Sequence, residues 1–487
     1  MNSTDSNSPP TELPRVLGPW LAAAIVVGCV IGTGVFKKAH AISKDIPESG
    51  AAITVWIVVG LLTLCGAMAL AEVAALFPKA GGNYVFLREA YGRLFGFLWV
   101  WVEFWFLRVA SCAALVQVFT ESLHNVLQLA MNTRETVLGF WTQQSISAGV
   151  IIVLGLLAAR GTKLGASFSF AITCVKIGSL LALMMLPIII VLFVTNPPTM
   201  PSWSNYQPVW PSKIDGNYLQ LFAVAMVAVL WPYNGWSNVA AIAGEVKNPQ
   251  RNVPIAFVGG LLLLIAIYSS VNLSYFSVVS SADMKQVTDT SIAAEVCRRL
   301  LGPIGLLLAS AAIMISTFGA LSGNMLVGPR GIFALSRDGL APKVLGTIHP
   351  KFETPFAATL TMTFVTAIFI FAGAAYTQFL QSAAEKKLPF DIITDFITFG
   401  GSAFETLAVA SIFVFRRRFA REIAQLPYRC PLYPVTPALF VLCMSGVMIN
   451  MFAVDSKRNE ALIGCGFIVA GVVLYYATNA VRSMRKK

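Results

Sequence analysis

The chain has 487 residues, of which 56% are hydrophobic and only 12% are charged. Soluble domains contain roughly twice that share of charged residues, so the composition excludes an ordinary soluble globular protein. The net charge of +12 could indicate nucleic-acid binding. We assign it instead to membrane orientation, because the Lys and Arg residues are concentrated in alternate loops between apolar runs.

Apolar runs of about 20 residues, long enough to cross a bilayer as helices, recur along the whole chain. They predict an all-α integral membrane protein with twelve transmembrane helices. We number them spans 1 to 12, at residues 16–42, 50–77, 94–121, 145–160, 166–195, 218–245, 253–280, 301–335, 355–375, 390–415, 432–454 and 460–481.

The loop charges predict cytoplasmic N- and C-termini. We also expect the protein to lie in the plasma (inner) membrane. Residues 1–15 are expected to be a disordered cytoplasmic tail, and residues 16–415 a core formed by spans 1 to 10. Residues 416–487 would add two peripheral helices and a basic tail. The connector at 79–91 predicts a short interfacial helix, and span 8 is long enough to extend beyond the bilayer.

Span 1 contains a passage, Val27–Phe36, that includes Gly28, Gly32 and Gly34. Each glycine costs a helix interior about 1 kcal/mol relative to alanine, so the helix is expected to open here. Backbone opened at membrane depth must be buried in protein or line a wet cavity. Close helix packing through Gly28 and Gly32 is the alternative interpretation.

Span 6 repeats this feature, because Pro232, Asn234 and Gly235 lie in the middle of an apolar run. Interruptions at corresponding positions of two halves are typical of transporters built from inverted repeats, and they indicate the binding site. The pair therefore favours a ligand site over simple helix packing.

Four charged residues lie at membrane depth: Glu103 and Arg108 in span 3, Lys176 in span 5 and Glu405 in span 10. Such charges are costly and often functional. Glu103 and Arg108 could belong to a site or form a structural ion pair. Lys176 is expected to contact backbone carbonyls of the span 1 break, with snorkelling to the interface as the alternative.

Enzyme motifs are missing from the sequence. It contains no G-x-S-x-G, H-E-x-x-H or Walker A pattern, and the three histidines lie in separate loops. The eight cysteines lack metal-ligand spacing. We therefore predict a protein that is not an enzyme and that uses no metal or cofactor.

Several segments together carry a family resemblance. They are Gly32-Thr33-Gly34-Val35-Phe36, Ala71-Glu72 through Ala90-Tyr91-Gly92, Trp101-Val102-Glu103 to Arg108, Lys176, Tyr233-x-Gly235-Trp236, Glu245-x-x-Asn248-Pro249-x-Arg251-Asn252-x-Pro254, and Ser316-Thr317-Phe318-Gly319 to Arg337-Asp338-Gly339. In these segments the chain resembles the amino acid-polyamine-organocation superfamily, and within it the L-type amino acid transporters.

The resemblance implies a five-plus-five inverted repeat, with broken helices in spans 1 and 6, so that residues 16–415 are the transport core. It implies that amides of Gly32, Thr33 and Gly34 hold the substrate carboxylate, that carbonyls of both breaks take its amino group, and that Trp231 is an aromatic gate. Lys176 would replace a coupling cation. The candidate substrate-binding residues are Gly28, Ile31, Gly32, Thr33, Gly34, Trp231, Tyr233, Asn234, Gly235 and Glu405.

Three residues depart from the family pattern and affect the expected substrate: Pro232, Asn234 and Glu405. The prediction is a secondary active transporter of L-amino acids, sodium-independent and exchanging neutral amino acids by alternating access. A proton-coupled or cationic amino acid transporter is one alternative, and an amino acid-sensing membrane receptor is another. The expected partners are an L-amino acid and the lipid bilayer, not nucleic acid.

Animal members of this group have an outer cysteine between spans 3 and 4 that links them to a heavy subunit. Residues 121–145 contain no cysteine. We therefore expect no disulfide-linked heavy subunit.

Overall fold

The computed structural model describes residues 13–133, 135–287, 291–379, 389–453 and 455–484, without the side chains of 162–169, 389–399, 455–457, 459, 460 and 480–484. The predicted disordered tail at 1–15 lies mostly outside the described residues. Within them the chain is helical, and its only β-pairing is an isolated bridge between Leu17 and Val246. The all-α prediction is confirmed.

Each predicted span corresponds to a helix or a set of consecutive helices. Span 1 comprises the helices Pro19–Val30, Gly34–Lys37 and Ala39–Asp45, span 2 is Ser49–Leu76, and span 3 comprises Arg93–Val102, Glu103–Arg108 and Val109–Ala130. Span 4 is Phe140–Ala159, span 5 is Thr162–Phe193, and span 6 comprises Gly216–Tyr233 and Asn238–Ala241. Spans 7 to 12 are Pro249–Val278, Ile292–Val327, Phe356–Phe379, Pro389–Arg418, Val435–Ala453 and Asp455–Met484.

Eleven of these are long and apolar enough to cross a membrane, counted over the described residues. Span 10 is not among them, and its first side chains are not described. Span 8 begins earlier than predicted, at Ile292, and bends at Gly302, whose φ is 64°. The helix Pro329–Arg337 then lengthens it, as the sequence predicted.

Both predicted interruptions are present. Span 1 loses helical geometry after Val30 and resumes it at Gly34, and span 6 ends at Tyr233 and resumes at Asn238. Gly235 has a φ of 95°, which a residue with a Cβ rarely adopts. Gly34 lies where the two breaks meet, because a Cβ placed there would be 2.7 Å from the Cα of Pro232.

Span 3 contains a feature that the sequence analysis did not predict. Residues Glu103–Arg108 form a π-helical segment within it. The i→i+5 bonding of a π-helix places residues five apart on nearly the same face. Arg108 can therefore donate to Glu103 within one helix, at 2.8 Å from Nε to Oε1. The predicted ion pair lies within span 3 rather than between helices.

The loops divide into two sets, as the charge pattern predicted. Segments assigned to the cytoplasm bond to each other, through Leu17 with Glu245 and Lys247, Gly81 with Ala241, Tyr84 and Arg88 with Asp338, and Arg416 with Glu72. Segments assigned to the outside do the same, through Ser49 with Pro208, His40 with Met284, and Lys37 with Glu121. Which set faces the cytoplasm remains a prediction.

Two further features belong to the set of loops assigned to the cytoplasm. The connector helix, Asn83–Tyr91, occupies the position predicted for an interfacial helix. The corner after span 6 is fixed by an ion pair between Arg330 and Glu245, 3.0 Å apart, with both side chains fully buried. Removing one partner of such a pair leaves a buried charge uncompensated, so the pair ties spans 6 and 8 together.

Candidate functional site

A pocket lies between the two broken helices. Of the predicted substrate-binding residues, Gly32, Thr33, Gly34, Trp231, Asn234 and Gly235 line it. The other lining residues are Cys29, Val30, Ser111, Leu115, Pro232 and Asn324. The structure thus brings most of the predicted set to one place, although their role in substrate binding remains a prediction.

The span 1 break contains unpaired hydrogen-bond donors in residues that line this pocket. Among the described residues, no group accepts a hydrogen bond from the backbone N–H of Gly32, Thr33 or Gly34. The hydroxyl of Thr33 is also buried without a partner. Buried donors left unpaired cost roughly 1 to 3 kcal/mol each, so an acceptor placed here would be favoured. A carboxylate is such an acceptor, and free N–H groups at a helix start suit it.

Lys176 makes the contact that the sequence analysis expected. Its Nζ donates to the carbonyl of Gly28 at 2.7 Å and to that of Ile31 at 2.6 Å. The side chain is only 1% exposed, which rules out snorkelling to the interface in this structure. Gly28 and Ile31 were predicted to bind substrate, but here their carbonyls face the Lys176 ammonium and neither residue lines the pocket.

Tyr233 also lies away from the pocket. Its hydroxyl donates to the carbonyl of Trp56 at 3.2 Å, and its ring packs against Tyr268 with centroids 5.1 Å apart. Tyr233 therefore anchors the span 6 break to spans 2 and 7 and does not line the pocket.

Tyr268 in span 7 joins the two breaks. Its hydroxyl lies 3.2 Å from the carbonyl oxygen of Val30 and 3.0 Å from that of Pro232. The sequence analysis missed this residue. The only available signal was a tyrosine in the middle of an otherwise apolar span, whose hydroxyl needs a partner when buried.

Glu405 lies one layer behind the pocket. Its carboxylate accepts from Trp236 Nε1 at 3.2 Å and from Ser237 Oγ at 3.0 Å, and it is not among the lining residues. One turn earlier, a Cβ added to Gly401 would lie 3.8 Å from the side-chain nitrogen of Asn234. Span 10 thus packs against the span 6 break on the side away from the pocket. Glu405 can affect the position of the lining residues Asn234 and Gly235 through its hydrogen bonds to Trp236 and Ser237.

A polar network closes one side of the pocket. Arg108 donates to Glu103, to Asn324 and to Asn238, the last at 2.9 Å. Asn324 also lines the pocket. The sequence analysis identified Glu103 and Arg108 but not the two asparagines, although an asparagine within an apolar span was an available signal.

A second cavity lies on the other side of this network. It is lined by Gly81, Asn83, Trp99, Glu103, Arg108, Ser237, Asn238, Ala241, Val327, Gly328 and Gly331. The Arg108 network therefore separates the two cavities. The second cavity lies toward the loops assigned to the cytoplasm, because Gly81 and Asn83 belong to the connector between spans 2 and 3.

The titratable side chains do not form a metal site within the part of the chain that the structure describes. No group of three or more His, Cys, Asp or Glu side chains there could hold a metal ion.

Comparison with known proteins identifies the family. The family model for amino acid permeases matches residues 17–477. The chain is 31% identical over 474 residues to the serine/threonine exchanger SteT of Bacillus subtilis, which covers 95% of this chain and 97% of that protein. It is 24% identical to the human b(0,+)-type amino acid transporter 1, covering 96% and 88%. It is also 24% identical to the human cystine/glutamate transporter, covering 96% and 85%.

These matches agree with the resemblance identified from the sequence, and the relatives are transporters rather than enzymes. The match to the family model extends from span 1 into span 12 and includes both breaks. The chain therefore belongs to the amino acid permease family of multi-pass membrane transporters.

Proposed function

We propose that the protein is a secondary active transporter that moves L-amino acids by alternating access and exchanges neutral amino acids without sodium. The observation that carries this proposal is the pocket between the two broken helices. It offers unpaired amides for a carboxylate, and none of its lining residues in the described part of the chain is charged.

The uncharged lining supports neutral substrates. Burying a cationic or anionic substrate side chain requires a partner of opposite charge. Asn234 occupies a position where a carboxylate would serve cationic substrates, and an amide cannot supply that charge. Ser111, Thr33 and Asn324 offer polar contacts, while Leu115 and Trp231 offer apolar ones. The Bacillus relative is named as an exchanger of serine and threonine, which agrees with neutral substrates and with exchange.

The position of Lys176 supports transport without sodium. Its ammonium already satisfies the carbonyls of Gly28 and Ile31 at the span 1 break. A cation bound at these carbonyls would be repelled by the buried ammonium. Lys176 therefore supplies the positive charge that sodium would otherwise supply.

The Arg108 network supports alternating access. It lies between the pocket and the second cavity, so opening a path between them requires the contacts of Arg108 to Asn324 or Asn238 to break. We propose that this network is closed while the pocket is shielded from the cytoplasm, and that it opens when substrate is released inward.

We further propose that the protein works in the plasma membrane without a heavy subunit and with both termini in the cytoplasm. Arg418 and Lys343 lie in loops assigned to the cytoplasm and are exposed. A cysteine introduced at either position should react with an impermeant maleimide only after the membrane is opened. Labelling in intact cells would reverse the proposed orientation.

The function can be tested with purified protein in proteoliposomes. Uptake of labelled serine, threonine or leucine should need unlabelled amino acid inside and should be unchanged when potassium replaces sodium. Arginine and lysine should compete weakly. Amino acid binding without uptake would identify a receptor, and uptake into empty vesicles driven by a sodium gradient would contradict the proposal.

A further inference from the structure

Glu405 is a buried carboxylate that the proposed exchange does not use. It is 9% exposed, and among the described residues it forms no ion pair. Its two recorded partners, Trp236 and Ser237, are neutral donors on the span 6 break. Burying a charge without a counter-ion is costly, and a carboxyl group can avoid that cost by binding a proton.

Within the described part of the chain, one charged group lies near enough to act on Glu405. This is Arg108, which is already engaged by Glu103. The remaining titratable groups on helices packed around span 10 share no hydrogen bond or ion pair with Glu405. Among the described residues they include the pair of Glu72 with Arg416, the ion pairs of Arg88, the hydroxyls of Tyr91, Tyr233 and Tyr475, and the thiols of Cys65, Cys112, Cys443 and Cys465.

We propose that Glu405 and Ser237 form a proton-binding switch that controls the span 6 break. The consequence for transport rests on the proposed function, whereas the proton site itself does not. In the ionised form, the carboxylate accepts hydrogen bonds from both Trp236 and Ser237. Such charge-assisted bonds are roughly twice as strong as neutral ones, so they hold the break firmly.

Binding of a proton changes these bonds in a defined way. The indole N–H of Trp236 can only donate, so it must remain on an unprotonated oxygen, Oε2. The proton is delivered by hydronium, which becomes water, and it therefore forms the O–H bond on Oε1. The hydroxyl of Ser237 then changes from donor to acceptor, which a serine can do. No electron transfer or other reactant is involved.

The reversal at Ser237 connects the proton site to the second cavity. Ser237 lines that cavity together with Asn83 and Arg108. Once Ser237 accepts from Glu405, its own hydrogen is free for another acceptor. The side-chain oxygen of Asn83 is buried without a partner. Protonation thus weakens the hydrogen bonds between span 10 and the span 6 break. It also provides a hydrogen-bond donor in the second cavity, toward which the pocket must open for inward release.

Infrared difference spectroscopy of the substrate-free protein tests the proton site directly. Acidification should produce the C=O stretch of a protonated buried carboxyl group, and Glu405→Gln should remove that signal. The proposal is overturned if the signal is absent from the wild type or persists in Glu405→Gln. Because no substrate is needed, failure of transport would refute the proposed function without affecting this result.

The proposed effect of protonation on transport is tested by exchange rates in proteoliposomes that have the same pH inside and outside. The wild-type rate should change between a neutral and an acidic limit, whereas Glu405→Gln should be independent of pH and remain at the acidic limit. Ser237→Ala removes a donor to the ionised form, so it should move the midpoint to higher pH. Thr406→Val removes a hydroxyl that bonds only within span 10 and should leave the midpoint unchanged.

If Glu405→Gln does not fold, Glu405→Asp provides the decisive variant, because it keeps a carboxyl group and should keep a pH-dependent rate. A pH-independent Glu405→Asp protein, or a Glu405→Gln protein with the wild-type pH profile, would overturn the proposal.

Discussion

Replacing Lys176 by alanine should nearly abolish transport. The Lys176 ammonium is fully enclosed and donates at 2.7 and 2.6 Å to two carbonyls of the span 1 break. Alanine removes both bonds and leaves two carbonyls unpaired at membrane depth. It also leaves a void beside Gly319, where a Cβ would lie 2.8 Å from the Lys176 Cε.

The expected size of the effect follows from these bonds. A hydrogen bond to a charged group contributes about 1.5 to 3 kcal/mol, so losing two removes roughly 3 to 6 kcal/mol from the arrangement of the break. Each 1.4 kcal/mol is about tenfold in an equilibrium. If the break must keep this arrangement during the transport cycle, the exchange rate should fall about a hundredfold or more.

The assay is exchange of labelled amino acid in proteoliposomes, normalised to monodisperse reconstituted protein. Lys176→Met fills most of the side-chain volume but lacks the ammonium group. Its exchange rate should therefore be as low as that of Lys176→Ala. Lys343→Ala, which removes an exposed lysine, should match the wild type. The reasoning is refuted if Lys176→Ala folds and retains more than about a tenth of the wild-type rate, since that loss is under 1.4 kcal/mol.

Three other predictions follow from the pocket and its surroundings. Gly34→Ala forces a Cβ against Pro232 and should weaken substrate binding roughly 5- to 150-fold, the equivalent of about 1 to 3 kcal/mol of overpacking. Gly259→Ala, which meets no atom within 4 Å, should bind normally in the same titration. Asn234→Asp should shift competition toward arginine and lysine, and an unchanged inhibitor order would show that this side chain does not set selectivity. Burial raises the pKa of the Cys430 thiol to about 11, so its maleimide labelling should be slow at neutral pH and accelerate as pH rises; fast labelling at pH 7 would contradict its burial.

The two breaks were predictable because glycine and proline weaken a helix wherever they occur in it. The partner of Lys176 was predictable for a different reason: a buried ammonium needs acceptors, and a broken helix exposes carbonyls. Both arguments depend on local chemistry, which is readable from the residues alone.

The remaining features depend on tertiary packing. The π-helical segment Glu103–Arg108 contains neither glycine nor proline, so nothing local marks it. Tyr268 can bond to both breaks only because span 7 crosses them. The direction in which the Glu405 side chain points depends on the rotation of span 10 about its axis relative to span 6. Helical periodicity in a span that is apolar on most sides does not fix that rotation.

The central claim, that the two breaks form the amino acid pocket, is tested most directly by protection of Cys29, the one cysteine among the lining residues. In a protein that retains only Cys29, saturating serine or threonine should slow modification by a small thiol reagent. A protein whose single cysteine replaces the exposed Lys343 should be modified at the same rate with and without amino acid. If the Cys29 protein still exchanges amino acids but its modification rate is unaffected by a transported substrate, the substrate binds elsewhere and the account of the pocket is wrong.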